Sequence, residues 1–369
     1  MQFICATCAR WRFSDADKGA DVYGGYIDGT GSASGNIVNL TDSIIAGTVY
    51  GGYANGAAVD AEGVTNTINT SGTVNVDNIA GFSAVNVNSG ILTADNIQAT
   101  YGTVNVGSGN QDARLVVTAG QNTLANLAIN TADSKVSLAS KDADTTYTVT
   151  NLTNKGTVEV TGGDVHITTL TNDKDVKINV GKLTLNTISS SAGATGNVTV
   201  GDTYNTYNPA GWDETKDPVY DSELVLLSNA TITENLTVNR DGKADSDVEL
   251  TVNGNLTNAG EITNSGTLDV AGSITNSGTL GNSGDISAAS VANTGDITVS
   301  AGSLAVAGTL DNDGDLTVSG GSVSADTFDS SGTALMNGGS TTVTTLTNSG
   351  DMTVTGTAQP MSPTRMTSR

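Results

Sequence analysis

Aromatic side chains are scarce in this chain of 369 residues: Phe, Trp and Tyr together make up 4%. That excludes an interior filled by large rings and leaves Val, Ile, Leu and Ala to build a thin one. Cysteine is almost missing. Cys5 and Cys8 form one C-x-x-C with no second pair to complete a zinc site, so no disulfide framework supports the remainder. Cations are few, with 15 Lys plus Arg against 38 Asp plus Glu and a net charge of −23. This excludes the clustered Lys and Arg that neutralise nucleic-acid phosphate, and it sets the chain against an anionic membrane surface. No stretch approaches the roughly 20 apolar residues of a bilayer-spanning helix. The apolar run near the start is short and broken by Arg10 and Arg12, unlike a signal peptide.

What the chain does have is glycine, 45 residues of it, and 37% hydrophobic residues, too many and too evenly spaced for a disordered tail. The spacing is a repeat. "NAGEI" begins at Asn258, "NSGTL" at Asn276, "NTGDI" at Asn293, "NDGDL" at Asn312, "SSGTA" at Ser330 and "NSGDM" at Asn348, in steps of 18, 17, 19, 18 and 18. Asn154 and Asn172 open similar phrases 18 apart, and Asn264 and Asn282 form a second series lagging the first by 6. Such a period signals a solenoid. Within it, Ile262, Leu268, Ile274 and Leu280 recur every six residues. Three short strands per coil explain both periods, with side chains alternating in and out along each strand. Leu268 and Val270 are expected to face inward and Thr267 and Asp269 outward. The same holds for Val74 and Val76, Val104 and Val106, Val158 and Val160, and Leu316 and Val318. The corners carry Asn and Gly, read here as residues that accept a positive φ. Stacked Asn side chains are further expected to hydrogen-bond from coil to coil. The expected fold is all-β: a right-handed parallel β-helix with coils of about 18 residues, roughly 16 to 18 coils in number.

Residues 1–20 are expected to be a disordered leader, 21–356 the β-helix and 357–369 a disordered tail. Within 21–70 the coils are longer and contain "VYGGY" twice, at Val22 and Val49. The VYGGY pair, followed by stacked "N.GT..V" coils, resembles the passenger region of bacterial autotransporter proteins, and filamentous-haemagglutinin-like adhesins are similar in style. The resemblance covers about residues 20 to 356. It implies export to the cell surface and a role in adhesion, aggregation or host contact. It also implies partners among host or bacterial surface glycans and proteins, or self-association. The family's translocating barrel and long signal sequence have no counterpart in this sequence, and the tail "TAQPMSPTRMTSR" departs sharply in composition. The chain is therefore expected to be a fragment.

Residues 201–223 interrupt the repeat with Tyr204, Tyr207, Trp212 and Tyr220. A long loop on a rigid scaffold is where recognition tends to reside, which makes these four the candidate binding residues. Candidates for chemistry are poor. Glycosidic hydrolysis needs two carboxylates set about the scissile bond, and galacturonase-type β-helices place an Asp cluster beside Gly-His-Gly and Arg-x-Lys, none of which occurs. The single His166 lies in "GGDVHITTL", outward between Val165 and Ile167, and Arg114 and Arg240 are the only arginines between residues 20 and 360. "GSGNQDARL" at Gly107 partly matches a calcium nonapeptide, but only once. Asp241, Asp245, Asp247 and Glu249 lack the glycine of an EF-hand loop. No catalytic, cofactor or metal site is expected, nor is contact with nucleic acid or insertion in a membrane. The expected function is a structural or adhesive stalk that presents loops. The alternatives are a polysaccharide lyase or hydrolase and a purely mechanical spacer.

Overall fold

Alternation dictates the strands, and their pairing makes the coils. The computed structural model describes residues 3–4, 21–27, 33–108, 111–142, 144–191, 196–201, 222–239, 248–355 and 366–368. They fall into two units, Met1–Val176 with Gly181–Thr184 and Ser190–Thr195, and Lys177–Val180 with Leu185–Ser189 and Gly196–Arg369. Each unit is a parallel β-solenoid, all-β throughout.

In the first unit Val38, Ile68, Val85, Val104, Leu127, Leu152 and Leu170 stand in one register column. All seven are buried. In the second, Leu236, Ile262, Leu280, Ile297, Leu316, Ala334 and Met352 form the equivalent column. Each fully buried Val, Leu or Ile in these columns contributes about 1.5–3 kcal/mol relative to exposure, while Met352 at the end is half-buried. The inward and outward assignments hold: Leu268 and Val270 are buried while Thr267 and Asp269 are half-buried. Ile262, Leu268, Ile274 and Leu280, six residues apart, are all fully enclosed.

Three sequence expectations change. The turns number about 13 at a spacing of ~19 residues, fewer than 16 to 18. The early coils account for part of the difference: Val22 pairs with Val49, a step of 27, and Val38 with Ile68, a step of 30. The three faces of a coil are not always three strands. Thr267–Asn276 continues through the corner at Ala271–Gly272, with a register shift between Val270 and Ser273. The commonest corner glycines are also not there for a positive φ. Gly278, Gly284, Gly295, Gly314, Gly332 and Gly350 all have ordinary φ. A Cβ on any of them would collide with the carbonyl oxygen of the glycine one coil earlier, so they are required by how closely the corners stack. Positive φ is confined to other sites, among them Gly302, Gly321 and Gly339.

The corner Asn side chains point into the coils. Asn258, Asn276, Asn293 and Asn312 are all at most 1% exposed. Each passes Nδ2 to the next: Asn258 to Asn276 Oδ1 at 2.7 Å, Asn276 to Asn293 at 2.7 Å and Asn293 to Asn312 at 2.8 Å. Asn264 donates likewise to Asn282 at 2.9 Å, and Asn154 to Asn172 at 2.7 Å. A buried amide is costly unless its groups are paired, and the ladder pairs the donors; the terminal Asn264 Oδ1 is left without a partner. A half-buried ladder in the first unit runs the opposite way: Asn69, Asn86 and Asn105 each donate to the Asn one coil earlier, at 2.9 Å.

Within the segments expected to be leader and tail, Phe3–Ile4 pairs in parallel with Val22–Tyr23, and Met366–Ser368 with Leu346–Asn348.

Candidate functional site

The candidate residues Tyr204, Tyr207, Trp212 and Tyr220 lie outside the described residues, as do Cys5, Cys8 and the carboxylates Asp241, Asp245 and Asp247. What the structure defines is where the 201–223 segment is rooted. It leaves after Asn197–Val200, which pairs with Asn235–Val238, and returns at Ser222–Leu226, which pairs with Val248–Val252. Gly201, at φ 77°, donates its N–H to Ile178 O at 2.9 Å, and Ser222 Oγ donates to Asn179 O at 2.9 Å. Both roots are thus tied to the solenoid by hydrogen bonds.

Sequence reasoning used the VYGGY copies only as a mark of resemblance, yet they build the one aromatic cluster among the described residues. Val22–Tyr23 pairs in register with Val49–Tyr50, and Tyr26–Ile27 with Tyr53–Ala54. Tyr23 therefore stacks on Tyr50, with ring centroids 5.0 Å apart and planes 12° apart, and Tyr26 on Tyr53 at 5.6 Å and 8°. Edge-to-face contacts at 5.4 Å (Tyr23–Tyr26) and 4.9 Å (Tyr50–Tyr53) close the box. These are the offset-stacked and T-shaped arrangements that the ring quadrupole favours. After Tyr53 the chain turns back in a two-residue hairpin at Asn55 and Gly56, φ 53° and 81°, the backbone a right-twisted hairpin requires. Tyr23 is buried and donates its hydroxyl to Asp21 Oδ2 at 3.3 Å, while Asp21 Oδ1 accepts Thr48 N–H at 2.8 Å. Burial first, then the charge and hydrogen bond of Asp21, push the Tyr23 pKa up to about 12.

His166 is half-buried between buried Val165 and Ile167, and Arg114 is exposed. Among the described residues no group of three His, Cys, Asp or Glu is arranged to hold a metal ion, and no helix is long and apolar enough to cross a membrane. A shallow cleft of about 330 Å³ opens where Val306, Ala325 and Val343 stack, and Asp326 is its one ionisable lining group. Lys135 and Glu159, on neighbouring strands, form an ion pair. Acidic columns mark the second unit: Asp296 is the register partner of Asp315, and Asp311 of Asp329, while residues 248–355 contain no Lys, Arg or His.

No known protein family matches this chain, and neither does any curated protein or solved structure.

Proposed function

We propose that this chain is a structural and adhesive segment of an exported bacterial surface protein, a β-solenoid stalk of autotransporter-passenger style that presents loops for contact with host, matrix or neighbouring cells. The observation carrying this reading is the uniformity of the coils from residue 256 to 355. The coils share the aliphatic columns and the crowded glycine corner, with an amide ladder through Asn258, Asn276, Asn293 and Asn312 that Ser330 interrupts, so each adds length without adding a reactive group. The VYGGY copies and the long aromatic insertion at 201–223 agree with it, because recognition on such scaffolds resides in departures from the repeat. A net charge of −23 favours solubility and resists lateral clumping of neighbouring stalks.

The test is binding of the purified chain to epithelial cells, matrix proteins and a glycan array, with and without residues 202–221. Saturable binding that disappears with the deletion supports adhesion through the insertion. Absence of any saturable binding makes the chain a spacer. Release of reducing ends or unsaturated products from a polysaccharide panel would instead make it an enzyme.

A further inference from the structure

The tyrosine box places two phenols face to face where solvent reaches them. Tyr26 is 36% exposed and Tyr53 half-buried, with their rings within 8° of parallel and their centroids 5.6 Å apart. A phenol that loses one electron and its proton becomes a phenoxyl radical whose unpaired spin resides partly on the carbons ortho to oxygen. Two such radicals held in contact join at those carbons. We propose that Tyr26 and Tyr53 are an oxidative cross-linking site, at which a haem peroxidase using hydrogen peroxide couples the two rings through a carbon–carbon bond. Each phenol gives up one electron and one proton. The ortho carbons bond, and the hydrogen on each of them moves to its own ring's oxygen, which restores two phenols. The two electrons and two protons released reduce one hydrogen peroxide to two waters, so no further reactant is needed.

The geometry selects this pair over the other described tyrosines. Tyr23 and Tyr50 are also stacked, but Tyr23 is only 9% exposed and its proton is held by burial and by Asp21. Tyr101 is 58% exposed but has no ring beside it among the described residues, so none of them is placed to couple with it. Tyr147 is wholly enclosed. The product would tie Tyr26–Ile27 to Tyr53–Ala54, two strands of two residues each that are otherwise joined by little backbone pairing. A covalent link there prevents the first coil from peeling off the second.

The experiment treats the folded chain, at low concentration, with a plant haem peroxidase and hydrogen peroxide, then digests it with a protease that cuts before Asp. Cleavage at Asp21, Asp28, Asp42 and Asp60 separates residues 21–27 from 42–59. The expected product is these two peptides linked, two hydrogens lighter than their sum, recovered from monomeric protein. Tyr26→Phe and Tyr53→Phe each lose it, Tyr101→Phe keeps it, and circular dichroism verifies that every variant retains its strands. Linked peptide that persists in Tyr26→Phe, forms equally in urea, or arises only between molecules would overturn the proposal.

Discussion

Asn276 Nδ2 lies 2.7 Å from Asn293 Oδ1, one coil later, and both side chains are buried. The same nitrogen also reaches Gly278 O at 3.2 Å and Asp296 O at 3.1 Å, so one amide ties together the corner of its own coil and the strand of the next. Asn276→Ala would leave Asn258 without its side-chain acceptor and Asn293 Oδ1 without its donor. Asn258 keeps its bond to Thr279 O at 2.8 Å, so a loss of about 2 kcal/mol is expected, the scale of one unpaired buried acceptor and one lost hydrogen bond, read from the urea midpoint. The reverse change is available further along. Ser330 occupies the ladder position, where its Oγ is a distant acceptor for Asn312 at 3.3 Å, and Asn348 Oδ1 is buried with no partner. Ser330→Asn supplies an acceptor to Asn312 and a donor to Asn348, and should stabilise the unit by about 1 kcal/mol.

Glycines that look alike in sequence should respond oppositely to alanine. At Gly295 a Cβ would strike the Gly278 carbonyl oxygen, whereas at Gly281 the nearest atom is Ile262 O at 3.9 Å. Gly295→Ala is expected to cost about 3 kcal/mol by overpacking. Gly281→Ala is expected to gain about 0.5 kcal/mol by restricting the unfolded chain. Denaturation of the two single variants side by side decides it.

Tyr147 is fully enclosed and its hydroxyl has no hydrogen-bond partner, while burial pushes its pKa far up. Tyr147→Phe removes the stranded hydroxyl and keeps the ring, so a gain of about 1 kcal/mol is expected. Gly120 lies against that ring and has no room for a Cβ. Gly120→Ala should therefore destabilise the wild-type chain far more than a Tyr147→Ala background, a coupling that a double-mutant cycle measures directly.

Acidification should strengthen the fold. Asp311 and Asp77 are exposed, and partial desolvation raises the pKa of each, followed by the charges of Asp313 and Asp329 at Asp311 and of Asp95 at Asp77. A carboxyl that binds its proton more tightly folded than unfolded makes stability rise as pH falls through the folded pKa, and the gain levels off below the ordinary 3.8. Residues 248–355 hold no cation to offset the repulsion at Asp311. The urea midpoint is thus expected to climb between neutrality and about pH 4. Asp329→Asn should raise the midpoint at neutral pH and flatten its pH dependence.

The strands and the coil step were legible in advance because both depend on spacing along the chain: alternation set which side chains turned inward, and the recurrence of Asn258, Asn276 and Asn293 set the pitch. The Asn ladder was legible for the same reason. The role of the corner glycines was not, since Gly278 and Gly295 are constrained by an oxygen one coil away, whose position depends on how corners stack. Tyr23 and Tyr50 could be seen to repeat, but the meeting of four rings in two stacked pairs depends on register across 27 residues, through Gly-rich turns of no fixed length. Tyr147 against Gly120 carried no sequence signal, because nothing in either local phrase refers to the other. The aromatic insertion was visible through its broken rhythm, which says where the scaffold pauses and nothing about the shape that results.

The matched columns make the coils from Leu256 to Val299 interchangeable parts. Excising residues 259–276 would set Leu280 over Leu236, Asn282 over Val238, Ile286 over Leu250, Val291 over Leu256 and Asn293 over Asn258. Of these inward positions only Asn282, which would exchange the Asn264 donor for Val238, would find a neighbour of another kind. Loss or gain of one whole coil in the gene is therefore expected to leave a chain whose remaining columns still meet in register.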